Sequence, residues 1–415
     1  MPIRVSTAQL FQDGITQINA QQSQLLGLYN QVSSGKQLNS PADDPLGAAR
    51  AITLATAQSI NTQYKSNRGV AEQDLNTEEN TLQSVTTLFQ SLKTDVVQAG
   101  NGTLSDSDRQ SLGAVVTTLK QTLLGYANAT DANGQYLFSG HQGNVPPFAV
   151  GGTGTVTWQG DRGARLIQVT GSRQMSTSDN GYDLFMGATP GDQSYVTQAG
   201  AANTGTAVVN TPTITNPADP SVGNNFSVSF SGSPLQATIT QTDPTGAPVG
   251  SPTVVAYAPG TGTLALSPGV SIAISGTPAA GDTFSVTNVK GQDLNIFTSL
   301  DELAAALNTP TGGDQAKLAA LHNTLVTVGQ RVQSNYNAIL TVRSSLGTRL
   351  NELSGLDNSG ASLDVNYTTQ LSGIEDVNYN TAITQLQLRQ TALSAASQAF
   401  VNIQNLNLFS MNAGH

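Results

Sequence analysis

The sequence predicts an α+β protein: an elongated, discontinuous helical coiled-coil body drawn from both chain ends, with an inserted antiparallel β domain. Three observations point there. Apolar residues recur every seven positions near both termini, the middle of the chain alternates apolar and polar residues between turn signals, and no Lys or Arg lies between Arg173 and Lys290. The expected divisions are terminal helices over 1–44 and 375–415, a helical body with a β-hairpin region over 45–187 and 291–374, and an inserted β domain over 188–290. Three divisions suit 415 residues at about 150 per domain.

From Ser6 to Ser34 there is no Pro, and Phe11, Ile18, Leu25 and Val32 recur in heptad spacing with Ile15 and Leu28 interleaved. That is a narrow coiled-coil stripe. Gly35 suits the left-handed residue that ends such a helix. In the loop that follows, Asp44 suits an N-cap with Pro45 at the first helical position, where its missing N–H costs nothing, and Asp43 belongs to the same cap. Helix is expected from Pro45 to about Ala99, stopped by Gly100-Asn101-Gly102. Ser105 with Asp108 reads as a capping box opening a helix to about Thr130.

Beyond Asp131 the period changes. Asn133-Gly134, Pro146-Pro147 and Gly151-Gly152 mark turns, and 155–158 and 166–170 read as strands. Phe226–Phe230, Val270–Ile274 and Thr283–Val286 alternate as half-buried antiparallel strands do. Ser299 with Glu302 predicts a return to helix, a long helix follows over about 314–356, and Ser372 with Glu375 predicts the cap of the last one. There Leu386, Leu393 and Phe400 lie seven apart, with Ile403 continuing the stripe and Arg389 and Asn407 interrupting it. Two narrow stripes at opposite termini are expected to pack together. Spacing leaves open whether they meet within one subunit or between subunits, and whether they are ordinary core faces. Their polar but uncharged outer faces favour ends that become ordered when partners cover them.

Composition narrows the function. Only 11% of residues are charged, and 27 Asp and Glu against 17 Lys and Arg leave a net charge of −10. Such a chain repels phosphate-bearing partners, so neither nucleic acid nor a membrane surface is expected. With no Cys, thiolate nucleophiles, Fe–S clusters and Cys-based zinc sites are excluded. No apolar run approaches the roughly 18 residues that span a bilayer, and the N-terminal residues lack the apolar stretch of a secretory signal.

No catalytic, cofactor or metal constellation emerges. Asp43-Asp44 is explained as a cap, as are Asp106 and Asp108; Asp131-Ala132-Asn133-Gly134 lacks the remaining positions of a calcium loop and reads as a turn. Phosphate-binding Gly motifs and a nucleophile elbow are missing. Asn101-Gly102-Thr103 and Asn128-Ala129-Thr130 match a glycosylation sequon, a pattern short enough to recur by chance. The positive signal is for association.

The loop Ser33-Ser34-Gly35-Lys36-Gln37-Leu38-Asn39-Ser40-Pro41-Ala42-Asp43-Asp44-Pro45 resembles the signature of the flagellin superfamily. Gly134-Gln135-Tyr136-Leu137-Phe138-Ser139-Gly140, followed by Pro147-Phe148 and Gly160-Asp161, resembles the hook–filament junction members of that superfamily. The run from Ile374-Glu375-Asp376-Val377-Asn378-Tyr379 through Gln398-Ala399-Phe400 is similar to them as well. The resemblance spans about 1–170 and 291–415. It implies terminal helices forming an inner tubular layer and a β domain facing outward. It further implies a secreted, extracellular, non-enzymatic subunit of the bacterial flagellum, without cofactor, delivered by type III export. The implied partners are copies of itself in a ring-like or helical homo-oligomer, the preceding hook-associated protein, flagellin and a flagellar export chaperone. Subunit packing is then expected at Phe11, Ile18, Leu25, Leu28, Val32, Leu386, Leu393, Phe400 and Ile403. The neighbouring expectations are flagellin itself and an adhesin or glycan-binding module in the β insertion.

Overall fold

The structure, a computed structural model, describes residues 7–412 apart from 153, 188–191, 193 and 261; the side chains of 7, 8, 10, 291 and 403–412 are outside the description. The chain divides into two compact units, Met1–Ser66 with Gly355–His415, and Asn67–Ser354.

The first unit holds α1 (Thr7–Ser34), the start of α2 (Pro45–Ala99), the end of α6 (Gln315–Glu375) and α7 (Tyr379–Asn412). Its helices pair antiparallel. Gln58 of α2 donates to Asp364 and Thr368 of α6, and Asn61 donates to the Gly360 carbonyl. The same pairing carries α6 through Asn358-Ser359-Gly360, beyond the end expected near 356. Among the described residues of this unit, those that reach full burial are Gly47, Ala48, Ala51, Gly360 and Ala382. Among the described residues of this unit, not one Leu, Ile, Val, Met or aromatic side chain is buried. At about 1.5–3 kcal/mol for each large apolar side chain fully buried, this unit lacks the term that holds helices folded.

The second unit has the core that the first lacks. Ala71, Leu75, Leu82, Val85, Phe89 and Leu92 of α2 form a buried stripe at three-, four- and seven-residue spacing, and Val328, Val332, Ile339, Leu346 and Leu353 form another on α6, four and then seven residues apart. α3 (Asp106–Ala127) opens with the Ser105–Asp108 capping box, both of whose hydrogen bonds form. It stops at Ala127, short of Thr130, because the Asn128 side chain is taken by the backbone N–H and carbonyl of Phe148. β1 (Phe148–Val150) pairs with β2 (Val156–Trp158), and β3 (Leu166–Thr170) with β4 (Arg173–Ser176). A short α4 (Gly181–Phe185) follows. Here Phe138, Phe148, Trp158, Phe185 and Phe297 pack with ring centroids 5.1–6.3 Å apart, within the range of favourable aromatic pairs.

The inserted strands are β5 (Tyr195–Ala199), β6 (Val208–Val209), β7 (Thr213–Ile214), β8 (Asn225–Ser231), β9 (Gln236–Thr242), β10 (Thr253–Ala256), β11 (Thr263–Ala265), β12 (Val270–Ser275) and β13 (Thr283–Asn288). One sheet runs β10-β9-β8-β13-β5 and the other β11-β12-β6, with β7 also on β12; every pairing is antiparallel. Alternate residues (Phe226, Val228, Phe230, Ile272, Ile274, Phe284, Val286) enter one apolar core. The exposed edge of β5 is covered by α6: Gln330 accepts from Thr197 N–H at 2.6 Å, and the Thr327 hydroxyl donates to the Thr197 carbonyl at 2.6 Å. That disposes of an open strand edge without another strand.

Two expected caps are corrected. α5 (Ile296–Asn308) is capped by Asn295, which accepts from Phe297 and Thr298 N–H. Ser299 is instead buried in its first turns, and Glu302 pairs with Arg331 at 2.7 Å. α6 likewise runs through Ser372 to Glu375, and Asn378 receives the first N–H groups of α7, those of Thr381 and Ala382. In both places an Asn upstream supplied the shorter route to the free amides.

Candidate functional site

The first unit is where the expected association residues lie, and its ends are fixed by a joint. Gly35 takes a φ of 73° and its N–H closes α1 on the Gln31 carbonyl at 2.9 Å. A side chain there would be strained, and its Cβ would sit 3.1 Å from the Tyr379 hydroxyl. The reversed backbone then meets the start of the last helix. Gly35 O accepts from Val377 N–H at 2.9 Å, Gln37 N–H donates to Glu375 O at 2.7 Å, and Lys36 Nζ lies 2.6 Å from Glu375 Oε2. That carboxylate holds the Lys36 ammonium above its ordinary pKa. Asp43 accepts from Ser40 N–H at 2.8 Å. Asp44 Oδ1 accepts from Leu46 and Gly47 N–H at 3.1 and 2.9 Å, directly after which Pro45 opens α2. The loop thus joins three helix ends by backbone and capping bonds, not by chemistry on a substrate.

From this joint α1 and α7 run antiparallel. Phe11 meets Phe400 with ring centroids 4.8 Å apart, Gln24 accepts from Arg389, and Gln390 donates to the Tyr29 hydroxyl at 3.1 Å. Half-burial follows the seam spacing: Ile18, Leu25, Leu28 and Val32 on one helix, Leu386, Leu393 and Phe400 on the other. Phe11 keeps 41% of its surface exposed. The side chain of Ile403 is outside the described residues. The two stripes therefore meet within one chain, which spacing had left open, and the seam is one helix deep on each side.

What surrounds the seam is apolar and almost uncharged. Ile15, Leu26 and Tyr29 on α1 and Ile383, Leu388 and Val401 on α7 are exposed. Asp13 is the one charged residue of α1, and Arg389 that of α7. A surface poor in charge is inexpensive to desolvate, and charge depletion marks the centre of protein interfaces. Sequence reasoning missed Gly14, whose Cβ position lies 2.9 Å from the Phe400 ring. A Gly inside a helical pattern was the available signal.

The motif residues near 134–161 have a different task. Asp161 accepts from His141 and Gly163 N–H, which hold its carboxyl below the usual range, and its own N–H donates to Ser139 O. Together with Phe138 and Phe148 in the aromatic cluster, they lock a loop inside the second unit. Asp106 is likewise a structural acceptor. Gly312 N–H and the Thr311 N–H and hydroxyl donate to it, and they hold its pKa at about 2. Among the described residues no group of three or more acidic or His side chains could hold a metal ion, and no helix is long and apolar enough to cross a membrane.

Comparison with known proteins points the same way. The family described as bacterial flagellin N-terminal helical region matches residues 5–143. Flagellar hook-associated protein 3 of Salmonella typhimurium is 28% identical over 412 residues, covering 99% of this chain and all of that one. The crystal structure of FlgL from Xanthomonas campestris superposes with a TM-score of 0.67 at 27% identity, covering 77% of this chain and 99% of that one. The flagellar junction protein FlgL of Legionella pneumophila gives 0.65 at 26% identity, covering 79% and 100%. The N-terminal third of the chain thus matches the flagellin N-terminal helical region, and nearly the whole chain is similar to flagellar hook-associated protein 3.

Proposed function

We propose that the chain is a structural subunit of the bacterial flagellum that joins hook to filament by self-assembly through its terminal helices. The observation that carries this reading is the first unit's lack of any buried large apolar side chain among the described residues. Helices of that kind gain their stability from neighbours, and in a closed ring or helical array each contact is repeated by symmetry. Phe11, Ile18, Leu25, Leu28 and Val32 with Leu386, Leu393 and Phe400 set the seam. The exposed Ile15, Leu26, Tyr29, Ile383, Leu388 and Val401 then face neighbouring subunits. The partners in this reading are further copies of the chain, the preceding hook-associated protein on one side and flagellin on the other, with an export chaperone before assembly. No catalysis is part of it.

Deletion of the gene followed by electron microscopy tests the reading. Free hooks with flagellin shed into the medium, reversed by restoring this chain, are expected. Filaments of normal number in the deletion strain would overturn it, and loss of the filament protein itself would identify the chain as flagellin instead.

A further inference from the structure

Three Asn–Gly pairs occur in the chain, at 101–102, 133–134 and 180–181. This dipeptide is the most reactive setting for an asparagine, because an unhindered glycine nitrogen can attack the neighbouring side-chain amide. The structure separates the three. Gly181 N–H donates to Phe138 O at 3.0 Å in a buried position, and Asn180 caps α4. Gly134 N–H donates to Asp131 O at 3.1 Å, with the glycine held at a φ of 78°. In both pairs the attacking nitrogen is engaged.

Asn101 and Gly102 differ. Both are exposed, and the Gly102 N–H makes no hydrogen bond among the described residues. Asn101 Oδ1 accepts from Thr103 N–H at 3.1 Å and from the Thr103 hydroxyl at 3.0 Å. Two donors on the carbonyl oxygen draw electron density from Cγ, and the leaving amide group has no hydrogen bond among the described residues to hold it. The same residues form the sequon at 101–103; the other sequon asparagine, Asn128, is tied at both ends to Phe148.

We propose that Asn101 is a site of spontaneous deamidation in the folded protein, with water as the only co-reactant. The Gly102 nitrogen loses its proton to solvent and bonds to Asn101 Cγ. The Cγ–Nδ2 bond breaks and ammonia leaves, giving a succinimide. Water then adds to either ring carbonyl, and opening yields aspartate or isoaspartate; nothing is oxidised or reduced. The product places a new carboxylate just past the C-terminal end of α2, where the helix dipole disfavours negative charge. Isoaspartate also lengthens the main chain at 101 and so disturbs the Leu104 N–H to Asn101 O bond of 3.2 Å.

Peptide mapping of the full-length protein, aged in warm, mildly alkaline buffer, tests the proposal. Trypsin releases residues 94–109, in which Asn101 is the single Asn, and separates it from the peptides holding Asn133 and Asn180. Peptide 94–109 should take on the amide-to-acid mass change first and split into two chromatographic forms, one of them a substrate for protein-isoaspartate methyltransferase. In urea the three pairs should react at similar rates. Gly102→Ala is well tolerated sterically, since its Cβ meets nothing within 4 Å and its φ is not left-handed. It should slow the reaction roughly tenfold or more, a barrier rise of about 1.4 kcal/mol. Faster reaction at Asn133 or Asn180 in the folded protein, an unchanged 94–109 peptide, or a glycan mass on Asn101 would overturn it.

Discussion

Phe400→Asp is the perturbation that separates association from folding. Phe400 is half-buried on the α7 seam, against Phe11 and over Gly14. Half the value of a fully buried Phe is about 1 kcal/mol, and a ring pair in contact adds about 0.5–1.5 kcal/mol. About 2 kcal/mol of seam energy is therefore lost in each subunit, in a unit with no buried large apolar side chain among its described residues to compensate. The second unit is built on a core of its own, Leu75, Leu82, Phe89, Val332 and Ile339. Its thermal transition, followed by circular dichroism, should stay where it is in the unaltered protein. Complementation of a deletion strain should fail, because the loss recurs at every subunit of the assembly. Filaments in normal number from Phe400→Asp would refute the reasoning, as would collapse of the main thermal transition.

Two further substitutions probe the joint and the body. Glu78 is fully buried, its Oε1 accepts from Asp179 N–H at 3.1 Å, and burial followed by the Asp179 carboxylate pushes its pKa well above the usual range. The folded state therefore holds a proton that the unfolded state releases, and stability falls as pH rises from the ordinary Glu value through the raised one. Glu78→Gln should flatten that slope and raise the melting temperature at neutral pH; an unchanged or steeper slope between pH 5 and pH 8 would count against it. Gly35→Ala forces a left-handed alanine at a cost of about 1–2 kcal/mol, and its Cβ crowds the Tyr379 hydroxyl. Faster hydrogen exchange at the Val377 amide should report the opened joint, and unchanged exchange there would show the joint to be unimportant.

Much of this was legible because the two periods are clean. The 166–170 strand and the start of α2 at Pro45 lie where the sequence placed them, since alternation and a Pro-flanked cap are local signals. The missed features depend on context. Ser299 and Ser372 carry good cap sequences, but Asn295 and Asn378 lay nearer the free amides. Glu78 stands between Leu75 and Leu82, at a position of the buried stripe, so an acid in the apolar series was the readable sign of a buried polar group. The partner of the α1 stripe was out of reach for a different reason. Spacing defines a face, and Phe11 against Phe400 is a fact of tertiary structure across most of the chain length.

Amide hydrogen exchange on the dilute, full-length monomer addresses the central claim most directly. Exchange reads local opening, which reaches the global value only where a buried core resists it. The account predicts rapid exchange through α1 and α7, governed by opening of a half-buried seam, beside strong protection at the α2 residues around Leu75–Leu92. Equal protection of the terminal helices and that segment in the monomer would contradict it.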